Sequence, residues 1–240
     1  VTTDPAHDLL LVRESADQLV HDISLLRDDA LEAPSLLPGW TRAHVIGHLI
    51  GNAEGLTRLL EWARSGEQVP QYPDQETKDA GISAALGQAS GVLASRVRDA
   101  VDAFLAAAQA LTEHDWAARV RLGVAAQGRE ITAGEVPWRR LVEQEVHNVD
   151  LAGAYTPAHW SQELVLRLLD ETAEHYLRRP DVPALDLATL DSDWSAGCGD
   201  PAQRIRVEAP GPALLAWLTG RSSGEGLHHI EDLPALPAWF

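Results

Sequence analysis

Cysteine is almost missing from this chain. Cys198 is the only one in 240 residues, so no internal disulfide framework can form and a reducing compartment is expected. Its surroundings, Ala-Gly-Cys-Gly-Asp, read as a flexible polar loop without a neighbouring base, which predicts a bystander thiol rather than a nucleophile. Positive charge is scarce as well. With 19 basic against 36 acidic residues the formal charge is -17, which disfavours attraction to nucleic acid or an anionic membrane. An anionic substrate would need arginine or lysine placed locally. No stretch approaches the roughly 18 apolar residues of a membrane span, and the start lacks a basic segment followed by an apolar run. The expectation is a cytoplasmic protein that binds small molecules, with neither nucleic acid nor membrane as partner and no obligatory protein partner evident. Internal repeats and low-complexity stretches are also lacking. The glycine-rich Ser222 to Gly226 has no strand-to-helix context, which argues against a phosphate loop.

What is present is ordinary globular material: 45% hydrophobic and 23% charged residues, enough to build one large or two small domains with a real core. The organising stretch is Val136 to Tyr155, VPWRRLVEQEVHNVDLAGAY. Wound as a helix at about 100° per residue, it sets Trp138, Val142, Val146, Val149 and Gly153 on one arc, with Glu143, His147, Asp150 and Ala154 as a stripe beside it. Glu143 and His147, one turn apart, can point at a common atom. A second predicted helix, Trp40 to Arg64, borders its apolar arc of Val45, Ile46, Leu49, Ala53, Leu56 and Leu60 with His48, and carries His44 one turn earlier. If the two helices pack, His48 faces Glu143 and His147. Two imidazoles and one carboxylate form a three-ligand set typical of catalytic zinc, with a position left for water or substrate. The competing reading is a plain helix-surface pair beside a bundle-edge histidine. Asp150 either orients a ligand or anchors a helix contact. Trp40 and Trp138 read as core aromatics, and His44 as either a cap of its helix or a pocket-lining group.

In chain order, Asp4-Pro5 opens a helix to about Asp29. Pro34, Pro38 and Gly39 break the chain before Thr41 caps the second helix, which Ser65-Gly66 ends. Glu67 to Thr77 reads as a loop with Lys78 at its end, and a third helix is predicted over Asp79 to Leu111, weakened by glycines. The Arg96, Arg98 and Asp99 charges read as a solvated face. Val120, Leu122 and Val124 alternate before a Gln127-Gly128 turn and Glu130-Ile131, which predicts a hairpin. Thr132 and Glu135 fit a capping box for the fourth helix. A four-helix bundle is the economical architecture. Beyond Thr156-Pro157 the pattern changes to a helix over Ser161 to Arg178, strands over Ala184 to Leu190 and Gln203 to Ala209, and a helix over Pro212 to Leu218. That mixture suits a small α+β domain. His228 and His229 read as surface histidines, and the proline-punctuated end from Leu233 to Phe240 as a docked extended tail.

Pro38-Gly39-Trp40-Thr41-Arg42 leading into His44-Val-Ile-Gly-His48, then Glu143-x-x-x-His147-Asn-Val-Asp150-Leu151, then Thr219-Gly220-Arg221, together resemble the mycothiol-dependent maleylpyruvate isomerase family. The resemblance spans nearly the whole chain and its parts come in order. It implies a mostly helical α+β protein: a DinB-like four-helix bundle over 1–156 and a small sterol-carrier-like α/β domain over 157–240. It implies that His48, Glu143 and His147 bind a divalent metal, most naturally zinc, and that Arg221 reaches the active site, where it is a candidate for binding both the substrate and the thiol cofactor, mycothiol; His44, if it lines the pocket, is a candidate for the cofactor. Lys78 stands where the family leads us to expect arginine, keeping the charge and losing the bidentate grip on a carboxylate. The implied reaction turns maleylpyruvate into fumarylpyruvate: a metal-activated thiolate adds to the cis double bond, the resulting single bond rotates, and elimination leaves the trans product. Arg221 and Lys78 would bind the carboxylates and stabilise charge on the conjugated oxo group.

Alternatives from other classes are a thiol S-transferase using the same metal, a metal hydrolase, and a non-catalytic metal-binding regulatory module with His44 as fourth ligand. The hydrolase is the weaker, because the H-E-x-x-H arrangement with its adjacent general base is missing.

Overall fold

The computed structural model describes residues 4–125, 128–229 and 232–239. The chain divides into two compact units, Val1–Tyr155 and Thr156–Phe240, giving an α+β protein whose first unit is mostly helical.

In the first unit, α1 (Pro5–Leu25) starts where the Asp4 carboxylate accepts from the His7 amide at 3.2 Å, with proline at the first helical position. It stops earlier than Asp29, because Leu26 turns extended and a single 3-10 turn follows at Asp28–Ala30. α2 (Arg42–Ser65) is capped by Thr41 and closed by Gly66, whose φ of 74° is the left-handed value glycine tolerates.

The long third helix of the sequence reading is two helices. α3 (Gln75–Ser83) begins at Asp74, whose carboxylate accepts from the Thr77 amide at 2.7 Å, so the preceding loop is shorter than the pattern suggests. α4 (Ser90–Gln109) follows after Gly87, at φ 72°, redirects the chain. Its start is capped from a distance, the Ser90 amide donating to Asp28 at 2.8 Å. No local pattern could show that cap.

Strands β1 (Arg119–Leu122) and β2 (Arg129–Thr132) pair antiparallel, with Val120 opposite Ile131. The strand ends before Val124, and Gln127 of the expected turn lies outside the described residues. The Thr132–Glu135 capping box forms and opens α5 (Val136–Asp150) through one 3-10 turn. α5 ends at Asp150, so Gly153 and Ala154 do not continue its faces.

α1 packs on α4 and α5, and α2 packs on the same two helices, which sets the ring order α1-α4-α2-α5 with α3 lying on α2. The core is built from the expected arcs: Val45, Ile46, Leu49, Ala53, Leu56 and Leu60 on α2, and Trp138, Val142, Val146 and Val149 on α5, are all buried. Burying so many aliphatic side chains, at about 1.5–3 kcal/mol each, is what holds the ligand-bearing helices together. Gly47 lets α3 approach: a Cβ there would lie 2.2 Å from the Ile82 carbonyl oxygen. One residue later comes His48.

The second unit holds α6 (Gln162–Glu171), which continues as a π turn over Thr172–Tyr176. A four-stranded sheet follows, of order β4-β3-β5-β6. Its strands are β3 (Leu185–Thr189), β4 (Ser195–Cys198), β5 (Ile205–Ala209) and β6 (His228–His229), with β3 and β5 parallel and α7 (Gly211–Leu218) after β5. The loop expected around Cys198 is therefore strand β4. The thiol is buried and donates to the Pro183 carbonyl at 3.1 Å, which explains an inert cysteine better than a polar loop does. The tail docks within this unit: Tyr176 donates to the Pro237 carbonyl and Arg179 to the Ala238 carbonyl, each at 2.7 Å. Among the described residues no helix is long and apolar enough to cross a membrane.

Candidate metal centre

Two helices bring the ligand set together. α5 presents Glu143 and His147 one turn apart, α2 presents His48 opposite them, and one ligand atom from each lies within 4.8 Å of the other two. The Glu143 carboxylate is the hub: its Oε2 is 2.8 Å from His48 Nε2 and 3.3 Å from His147 Nε2. The two imidazoles meet edge to face with centroids 4.7 Å apart. His48 and His147 are nearly covered, while the Glu143 side chain is 32% exposed, so the cluster opens to solvent on the glutamate side.

Helix register is fixed beneath the cluster by Arg140, one turn before Glu143 and fully buried. Its guanidinium donates to the Leu49 carbonyl at 2.9 Å and to Asn52 Oδ1 at 3.0 Å, which ties α5 to the turn of α2 that follows His48. Burial pushes its pKa down to about 10.

Each group is perturbed for a physical reason. Burial lowers His48, outweighing the attraction of Glu143. Burial also opposes protonation of His147, yet its hydrogen bonds to Asp150 and Glu143 raise it overall. Burial alone would raise Glu143, but the charge and hydrogen bonds of the two histidines hold it well below the usual carboxylate range. With the ring protons on Nδ1, two imidazole lone pairs and the carboxylate converge, and a cation between them would complete the set. A divalent ion satisfies all three at once, and the donor set suits zinc chemistry.

The remaining residues singled out from sequence fall as follows. Lys78 lies on the first turns of α3 rather than at a loop end, with its ammonium 5.5 Å from the centre of the Tyr72 ring. Its charge contributes to lowering His48, so it stands on the cluster's side of the bundle. His44 caps its own helix: Nδ1 accepts from the Thr41 amide at 3.2 Å, while the His44 amide donates back to Thr41 Oγ1 at 3.4 Å. It is not one of the three clustered residues. Asp150 touches His147, its Oδ2 2.7 Å from Nδ1. Trp138 is core, as read, but half-buried Trp40 is not: its ring lies 5.8 Å from that of His48 and 6.3 Å from that of His44, forming a wall beside the cluster. Arg221 lies in the second unit just past α7, where Gly220 at φ 77° turns the chain and the Arg221 amide closes the helix on the Ala216 carbonyl at 2.7 Å. Its guanidinium donates to the Thr219 carbonyl at 2.6 Å.

Sequence reasoning passed over Arg140 and Tyr72. A polar residue one turn before a candidate ligand was the available signal for Arg140. Tyr72, buried in the loop before α3, had none.

A helical bundle with a His-Glu-His cluster that could hold a metal ion, followed in the same chain by a small α+β unit, is the class of protein these features define. Comparison with known proteins narrows it. Residues 12–152 match the family model described as the mycothiol maleylpyruvate isomerase N-terminal domain, and the chain belongs to that family. Over its whole length it is similar to the crystal structure of the mycothiol-dependent maleylpyruvate isomerase, at 26% identity with a TM-score of 0.86 and full coverage of both chains. A histidine-to-alanine mutant of a mycothiol-dependent maleylpyruvate isomerase matches equally well at 25% identity and TM-score 0.86, again covering all of both chains. No curated protein matches.

Proposed function

We propose that this protein is a metal- and thiol-dependent cis-trans isomerase that converts maleylpyruvate to fumarylpyruvate, using zinc and mycothiol. The observation that carries the reading is the convergence of His48, Glu143 and His147 within 4.8 Å on an edge open to solvent. Membership of an enzyme family supports catalysis in general, and the names of the two similar structures supply the substrate.

His48, Glu143 and His147 would hold the ion. When bound, ion and thiol together supply a nucleophilic sulfur near neutral pH that can add to, and leave from, a conjugated double bond. The chain's own residues do the rest. Lys78, braced over the Tyr72 ring, offers a cation for one substrate carboxylate in a protein whose net charge of -17 otherwise repels a dianion. Arg221 is proposed as the second carboxylate-binding cation, on the family resemblance. Trp40 and the buried aliphatic residues of α2 keep water from one side of the cluster.

The test is a spectrophotometric assay of zinc-loaded protein with maleylpyruvate, run with mycothiol, with another small thiol and with none. Fumarylpyruvate formed only with mycothiol, and free thiol recovered after each turnover, is the expected result. A stoichiometric thiol conjugate would replace isomerisation by S-transfer. Metal bound with no turnover on any electrophile would favour a binding module.

A further inference from the structure

The two histidines of the cluster are held differently at their far ring nitrogens. His147 Nδ1 sits 2.7 Å from Asp150 Oδ2, while His48 Nδ1 is buried without a hydrogen-bond partner. Asp150 is fully buried. It is also the last residue of α5, the end of a helix where negative charge is disfavoured. A carboxylate at that place needs a strong compensating partner, and the His147 ring N–H is one. Main chain and side chain of this residue serve both ligand helices: its carbonyl accepts from the Leu36 amide at 3.0 Å, anchoring the segment that leads to Trp40 and the start of α2.

We infer that Asp150 is a positioning residue for the metal centre, fixing His147 with the proton on Nδ1 and the Nε2 lone pair turned toward Glu143. This rests on the proposed metal reading and extends it: His147 is the pre-oriented ligand, and His48 has no hydrogen-bond partner behind its ring. A carboxylate behind a metal-bound imidazole both selects the tautomer and raises ligand basicity.

The experiment compares wild-type protein with Asp150→Asn and Asp150→Ala, measuring the zinc dissociation constant by chelator competition and the visible spectrum of the cobalt-substituted forms. Thermal midpoints of the metal-free proteins check folding. Zinc binding is expected to weaken by about 10–100-fold, more for alanine than for asparagine, which keeps an acceptor for the ring N–H. The cobalt bands should shift in both variants. Unchanged zinc affinity in variants that fold, beside a wild type that binds, overturns the role of Asp150 while leaving the metal reading intact. A wild type that takes up no zinc overturns both. If neither variant folds, nitrogen-15 NMR of the zinc-loaded wild type decides. A His147 ring protonated at Nδ1 and metal-bound at Nε2 supports the assignment, and the opposite tautomer overturns it.

Discussion

Helix α5 carries two polar surfaces, and they differ in how their polar groups are arranged, which decides what each can do. Toward α1, donors meet acceptors: Gln144 donates to the Val12 carbonyl at 3.4 Å, Asn148 donates to Asp22 at 2.8 Å, and the Tyr155 hydroxyl donates to Glu145. Toward α2, His48, Glu143 and His147 converge with one potential ligand atom each, both imidazoles lying against the one carboxylate. The contacts of the first surface are closed within the chain, though Gln144 Oε1 and Asn148 Oδ1 stay buried without a partner. The second offers a set of ligand atoms that a cation can take over from the ring protons. Gln144 and Asn148 are buried while Glu143 opens to solvent, and it is the convergence of ligand atoms on an open edge that separates a candidate site from a structural network.

The comparison breaks most visibly at its hub. Glu143→Ala removes the sole carboxylate of the cluster, and zinc affinity is expected to fall by more than about 100-fold, beyond the loss typical of an outlying partner. Isothermal titration with zinc measures it, and turnover should vanish in parallel. Binding retained within about threefold would show that the cluster is a hydrogen-bonded pair and nothing more. Next in size is Arg140→Ala, which leaves a cavity between α2 and α5 and strips the Asn52 side chain of its donor. Destabilisation of about 2–4 kcal/mol is expected in urea denaturation. A smaller effect is expected of His44→Ala: a lost cap of about 0.5–2 kcal/mol in stability with zinc retained. Zinc lost in that variant would make His44 a ligand and favour a closed, non-catalytic site.

Much of this arrangement was legible in the sequence, because helical periodicity is local. The arcs of α2 and α5, the Thr41 and Thr132 caps and the pairing of Glu143 with His147 follow from spacing alone, and the opposition of His48 follows once two amphipathic helices must share a core. The break between α3 and α4 was not legible. It depends on Asp28, distant in sequence, capping Ser90. Strand β4 was hidden because its four residues, Ser-Ala-Gly-Cys, carry no apolar alternation and owe their conformation to pairing with β3. Trp40 was misplaced for a similar reason. An aromatic beside a helix start reads as core until the helix opposite it is known to carry His147, whose ring packs on His48 just behind it.

The least disruptive change sharpens the contrast from the other side of α5. Glu145 faces α1 with its carboxyl raised, burial being the chief cause and the hydrogen bonds from Ser15 and Tyr155 only partly offsetting it. A carboxyl raised in the folded state favours folding while protonated. Its contribution is present at low pH and is lost as pH climbs from the ordinary glutamate range through the raised value. Glu145→Gln keeps the acceptor for Tyr155 and removes that loss. The variant is therefore expected to match wild type near pH 4 and to be more stable at pH 7. A gain of about 1 kcal/mol would appear as roughly 2–4 °C in the thermal midpoint. Zinc affinity should not move, because the α1-facing network supplies no ligand. A variant that loses stability at pH 7 would mean that the charged hydrogen bond to Tyr155 outweighs burial. The α1-facing surface would then be held together by charge as the α2-facing one is, and the distinction between them would rest on geometry alone.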